Sequence, residues 1–185
     1  DVASKRLYVA NRDAASVSVI DTALNTVVAT VPVGANPNNP IVDAARKRVY
    51  VRNFLSNSVS VIDSSTNTVV ANISVGAGPV TPALDTDRGR LYVPNSNANS
   101  LSVIDLNTNT VIATVGVGSK PKTPTLDSPR AKLFVPNEDG DSVSVVDLNT
   151  LTVTATIAVG RAPRGSAIDT GSARLYVPNW QGSAI

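Results

Sequence analysis

The sequence repeats itself at an interval of 42 residues, and that spacing constrains the fold more than any other property. The motif Tyr-Val-x-Asn begins at Tyr8, Tyr50, Tyr92 and Tyr176, with Phe134 in the tyrosine's place in the fourth copy. Val19-Ile20-Asp21 returns as Val61-Ile62-Asp63, Val103-Ile104-Asp105 and Val145-Val146-Asp147. A Val-Gly pair at 33–34, 75–76, 117–118 and 159–160 is followed three residues later by Pro37, Pro79, Pro121 and Pro163. A fixed period of this length with no helical signal predicts an all-β fold, a β-propeller with one four-stranded antiparallel blade per repeat. The units run at about 1–42, 43–84, 85–126 and 127–168, with a partial fifth over 169–185. About four and a half repeats are therefore expected to form a single propeller over 1–185.

One repeat shows how the strands are written. Ala83-Leu84 ends a first short strand, and Asp85 to Gly89 is rich in residues that tolerate tight turns. Arg90 to Pro94 reads as the second strand and Ser100 to Ile104 as the third, with a loop from Asn95 to Asn99 between them. Asp105 to Asn109 is another turn, in which Asn tolerates a left-handed backbone; Thr110 to Val117 is a fourth strand, β-branched at most positions. Apolar residues on both faces of the middle strands suit a blade sandwiched between neighbours. Pro40, Pro82 and Pro124 fall on the innermost strand, whose channel-facing edge would lose no ladder bond to proline.

Composition narrows the chemistry. There is no histidine and no cysteine, which excludes haem, zinc, blue-copper and iron–sulfur ligation, thiol nucleophiles and Ser-His-Asp catalysis from this chain's own residues. No catalytic, cofactor-binding or metal-binding residue can be assigned, and no cofactor is expected. A net charge of +2 gives no strong case for nucleic acid or an anionic membrane. No apolar run reaches the length of a membrane span. The chain begins at Asp1 and has no methionine, as a mature, trimmed or partial chain would.

The segments Leu-Tyr-Val-x-Asn, Ser-Val-Ser-Val-Ile-Asp, Asn-Thr-Val-x-Ala-Thr and Val-Gly-x-x-Pro together resemble the YVTN β-propeller repeat over essentially the whole chain. That family occurs in archaeal surface-layer proteins and bacterial exported proteins, usually as seven-bladed rings. The resemblance implies an extracytoplasmic place (cell surface, secreted or periplasmic) and part of a seven-bladed ring. It implies no catalytic residues, because the repeat is a packing signature. The family's usual Pro-Asp-Gly turn is replaced by Asp43-Ala-Ala-Arg and Asp127-Ser-Pro-Arg, a change expected to alter turn geometry only.

Residues 169–185 repeat the register of 1–17, so in a closed four-bladed ring Leu175-Tyr176-Val177 and Leu7-Tyr8-Val9 would compete for one slot. The ring is therefore expected to be completed by missing blades or by self-association. The repeats diverge most in the loops between second and third strands, the face where binding residues are carried on a rigid scaffold. These loops read Arg12-Asp13-Ala14-Ala15, Phe54-Leu55-Ser56-Asn57, Ser96-Asn97-Ala98-Asn99, Glu138-Asp139-Gly140-Asp141 and Trp180-Gln181-Gly182. Lys120, Lys122, Arg161 and Arg164 come from interblade loops expected on the same face. With Trp180 they form the candidate ligand site, for an anion or a sugar. Glu138, Asp139 and Asp141 lack the spacing of a calcium loop, and lysine pairing competes with a metal for them. The recurring aspartates at 21, 63, 105 and 147, and at 43, 85, 127 and 169, open turns and are read as backbone caps. The asparagines at 11, 53, 95, 137 and 179 end strands and are read in the same way.

Two functions fit. The first is a non-enzymatic surface or secreted scaffold whose variable loops meet a protein or a glycan. The alternative is a fragment or subunit of an exported propeller enzyme, of lyase or dehydrogenase type, whose catalytic residues lie outside this chain.

Overall fold

A computed structural model describes residues 1–181; Gly182, at the end of the last variable loop, lies outside them. The described residues contain no helix, and every strand pairing is antiparallel. The chain divides into two compact units, 1–75 and 76–185.

In the first unit, β1 (Arg6–Asn11), β2 (Ser16–Asp21) and β3 (Thr26–Pro32) form a three-stranded sheet. The strands β4 (Pro37–Asp43), β5 (Arg48–Asn53), β6 (Ser58–Asp63) and β7 (Thr68–Ser74) form a four-stranded one. Tyr8, Val17, Val19 and Val31 from the first sheet meet Val49, Val51 and Ile62 from the second.

The second unit repeats this scheme. One four-stranded sheet is β8 (Ala83–Asp85), β9 (Arg90–Asn95), β10 (Ser100–Asp105) and β11 (Thr110–Gly116). The next is β12 (Thr125–Asp127), β13 (Lys132–Asn137), β14 (Ser142–Asp147) and β15 (Thr152–Ala158). A two-stranded sheet follows, β16 (Ala167–Asp169) with β17 (Arg174–Tyr176). Tyr92, Leu101, Val103 and Val115 pack on Leu133, Val135, Val146 and Leu148. In both units the tyrosine face of one sheet is covered by the Leu/Val face of the next, which is why both faces of each middle strand are apolar. Leu7 and Val9, equivalent to the fully buried Val49 and Val51, are 50% and 39% exposed. Their face of the first sheet is uncovered within its unit.

Strand order within each sheet follows chain order, as the period predicts, and β8 to β11 match the expected strands to within a few residues. Each outermost strand carries an irregularity opposite Val19/Ile20, Val61/Ile62, Val103/Ile104 and Val145/Val146, which leaves one extra residue unpaired and strengthens the local twist. Two of the three prolines expected on the innermost strand differ from expectation. Pro82 and Pro124 precede β8 and β12, and Pro40 sits within β4 in the irregular stretch between Asn38 and Ile41, so none of these three takes a place in the ladder register.

The aspartates cap turns. Asp105 Oδ1 accepts the backbone N–H groups of Asn107 (2.8 Å) and Thr108 (2.9 Å), and Asp21, Asp63 and Asp147 repeat the arrangement. Asn25, Asn67 and Asn109 then take left-handed backbones, as expected; Leu151 does so in the fourth copy. Three of the other set are buried: Asp43, Asp85 and Asp127 pair with Arg46, Arg88 and Arg130 at 3.0, 3.2 and 3.2 Å, so the departure from Pro-Asp-Gly builds a turn around an ion pair. Asp169, by contrast, is exposed and accepts from the Gly171 and Ser172 N–H groups. Arg88 and Arg130 also reach across to the Ser128 and Thr170 carbonyls of the following repeat.

Backbone N–H donation, first of all, holds the carboxyls of Asp21, Asp63, Asp105 and Asp147 below the usual aspartate value. Because the folded values lie below the unfolded one, about 3.9, the folded chain binds fewer protons in that window. The stability these groups contribute is fully present above the unfolded value and is lost as pH falls through the folded values. The urea midpoint should therefore hold from neutral pH to about 5 and then fall steadily toward pH 2; a midpoint that stays level down to pH 2 contradicts the capping role.

The asparagines do something different from the aspartates. Asn53, Asn95 and Asn137 are fully buried, and each amide nitrogen donates to two serine hydroxyls of the following strand. For Asn137 these are Ser142 at 3.1 Å and Ser144 at 3.0 Å. Each side chain also lies against the glycine of a Val-Gly pair, Asn53 on Gly34 and Asn137 on Gly118. Sequence reading as a turn cap missed this buried role. The signal was present in the fixed offset between the asparagine and the paired serines five and seven residues on.

Candidate functional site

The expected pairing of loops is observed: interblade loops share a face with the loops between second and third strands. Glu138 N donates to Lys120 O (3.0 Å), Trp180 N to Ala162 O (3.1 Å) and Gln181 N to Arg161 O (3.2 Å). Lys120 and Ala162 hold left-handed backbones, which turn each interblade loop toward its partner. All five expected site residues lie in the second unit, and three of them, Lys120, Lys122 and Arg164, pair with one acidic side chain or its neighbour.

That side chain is Glu138, only 8% exposed. Its Oε1 accepts from Arg164 Nε at 2.5 Å and its Oε2 pairs with Lys122 Nζ at 2.8 Å. Burial alone would raise its pKa, but hydrogen bonds and charge from Lys122 and Arg164 outweigh burial and leave it below the usual glutamate value. Asp139 pairs with Lys120 at 3.1 Å, both side chains being about half exposed, so this bridge holds little energy. Asp141 Oδ1 caps the backbone N–H of Ala162 at 2.9 Å. The acidic run is thus engaged by the lysines and by the backbone. Among the described residues no group of three such ligands is placed to hold a metal ion.

The Arg164 guanidinium carbon lies 4.8 Å from the ring centroid of Trp180, a cation–π contact. A cleft of about 370 Å³ opens beside them, lined by Lys120, Glu138, Asp139, Arg161, Arg164 and Gln181 among others. Its volume falls within the range of small-ligand sites, about 300–1,000 Å³. Lys122 and Trp180 are not in its lining and join it through Glu138 and Arg164. Arg161 is exposed at the cleft and, among the described residues, has no carboxylate partner. Of the cations expected to face a ligand, three are therefore already paired, and Arg161 together with the unengaged edge of Arg164 holds the remaining capacity. Glu138 as the hub and Gln181 as a lining residue were not legible as site residues, since Glu138 gathers Lys122 from the preceding repeat and Arg164 from the far end of its own.

This architecture is a β-propeller. Solved structures with the same fold include the hydrazine synthase of Kuenenia stuttgartiensis, with a TM-score of 0.77 at 22% identity, over 89% of this chain and 48% of that one. A functionally unknown protein from Desulfotomaculum acetoxidans DSM 771 matches at 0.79 and 15% identity, over 95% of this chain and 59% of that one. Dihydro-heme d1 dehydrogenase NirN, in complex with DHE, matches at 0.80 and 17% identity, over 97% of this chain and 40% of that one. This chain spans roughly two to three fifths of the length of these proteins. No protein-family profile matches it, and no curated protein does. At these identities the likeness establishes the fold alone.

Proposed function

We propose that this chain is a non-enzymatic propeller scaffold outside the cytoplasm, presenting its variable loop face to a protein or a glycan. The observation that carries this reading is the cleft at Arg161 and Arg164, built from the most divergent loops and held on rigid sheets. The repeat motifs support membership of the YVTN-type family and, through it, a surface, secreted or periplasmic place. We take the two units to belong to one propeller. The uncovered Leu7/Val9 face supports its completion by further blades or by a second copy. An Arg161→Ala/Arg164→Ala double variant should lose binding of an array-identified glycan or protein by about tenfold or more while its circular dichroism is unchanged. Unchanged affinity overturns this site.

A second reading, part of an exported propeller enzyme, is favoured by the two structural neighbours named as a synthase and a dehydrogenase and by this chain's partial coverage of them. It places the catalytic residues outside these 185 residues. A cofactor retained by the protein isolated from its natural source would support it over the scaffold.

A further inference from the structure

We propose that the loop-face cleft takes a carboxylate-bearing pyranose, an acidic saccharide of the uronate class. This rests on the reading of that face as the binding face and narrows it to a ligand chemistry. Four cations, Lys120, Lys122, Arg161 and Arg164, share the site with three carboxylates, Glu138, Asp139 and Asp141, so one positive charge is left over. The surplus is localised. Lys120 and Lys122 are held by Asp139 and Glu138, whereas Arg161 has no carboxylate partner among the described residues.

Arg164 is oriented rather than merely present. Glu138 engages its Nε at 2.5 Å and Trp180 lies under its guanidinium carbon. Neither contact uses the two terminal nitrogens, which remain as a planar fork of the geometry that grips a carboxylate. A ligand carboxylate seated between Arg161 and that fork would match the surplus charge one for one. A doubly charged phosphate would exceed it and meet Asp139 and Asp141 across the cleft.

The second half of the recognition is Trp180, 71% exposed at the rim, where Ala162 and Gln181 tie its loop to the cleft. One side of its ring is occupied by Arg164 and the rest is left to solvent. A large apolar ring held at the rim of a charged cleft suits a ligand that joins an acid group to a flat apolar patch. A pyranose is such a ligand, because the C–H groups on one face present partial positive charge to the negative face of an indole.

Trp180 is also the one tryptophan in the sequence, so emission excited selectively at tryptophan reports on this site. The experiment titrates the chain with a tetramer of galacturonic acid, with its methyl ester and with a short polyglutamate peptide, following Trp180 emission. The tetramer should shift the emission saturably. The ester, which keeps the rings and removes the charges, should bind about tenfold or more weakly, as should the tetramer to Arg161→Ala. Polyglutamate, which has charge without rings, should leave the emission unchanged. Equal binding of acid and ester overturns the uronate assignment but leaves a glycan-binding face. Equal response to polyglutamate overturns it in favour of a plain anion patch. No response to any saccharide, with the array-identified partner still lost in the Arg161→Ala/Arg164→Ala variant, overturns the uronate assignment and leaves the loop face as a protein-binding one. Arg161 is exposed and makes no ion pair among the described residues, so its replacement should leave the melting curve in place and isolate the binding effect.

Discussion

Replacing Leu133 with alanine should lower stability by about 2–5 kcal/mol, read as a fall in the urea midpoint, with a drop of roughly 4–20 °C in Tm for a chain of this size. Leu133 is fully buried in β13 and is packed in the cluster with Tyr92, Leu101, Val103 and Val115 from the preceding sheet. Truncation removes three carbons' worth of buried surface and leaves a cavity between two sheets whose backbones are tied by their own ladders, so the site collapses poorly. Leu24, exposed in a turn, is the control: its alanine variant should stay within about 0.5 kcal/mol of the parent. If the two variants melt alike, sheet-on-sheet packing is not what holds this unit together.

The second large effect is a pair of opposite sign, two residues apart. A Cβ added at Gly118 would lie 2.5 Å from Cγ and Nδ2 of Asn137 and 2.9 Å from its Cβ. Asn137 has nowhere inexpensive to move, being fully buried and bonded to Ser142 and Ser144. Gly118→Ala should therefore destabilise by about 1–3 kcal/mol through overpacking and weakened serine contacts. Gly116 meets nothing within 4 Å, and the equivalent positions are Pro32, Ser74 and Ala158. Gly116→Ala should be neutral or stabilise by up to about 1 kcal/mol, through the unfolded chain's lost freedom. Denaturant midpoints decide the matter, and destabilisation of the same size at both positions would remove the asparagine–glycine couple as the cause.

The site itself was partly legible. Lys120, Lys122, Arg161, Arg164 and Trp180 could be placed on one face because strand alternation fixes which loops meet, and the structure brings those loops into hydrogen-bonding contact. That three of the four cations are already neutralised was not legible as a whole. Lysine pairing with the acidic run follows from proximity of neighbouring loops. The bond from Arg164 to Glu138 depends on the reach of side chains from two loops at opposite ends of one repeat, which the spacing of motifs leaves open.

The sequence alone determined the fold class and the strand plan. A period of 42 residues, with alternating β-branched segments and turn residues at fixed offsets, admits few other ways to bury both faces of the strands. It also fixed the capping aspartates, since a carboxylate two or three residues before free backbone N–H groups acts locally. Only the tertiary structure separated the asparagines from the aspartates, set Pro82 and Pro124 ahead of their strands and assigned three of the four cations their partners. Those outcomes rest on side-chain contacts between residues 5 to 26 positions apart, brought within ångströms by sheet pairing and sheet stacking. Linear spacing encodes which strand comes next; it does not encode which buried atom fills the space beside a glycine.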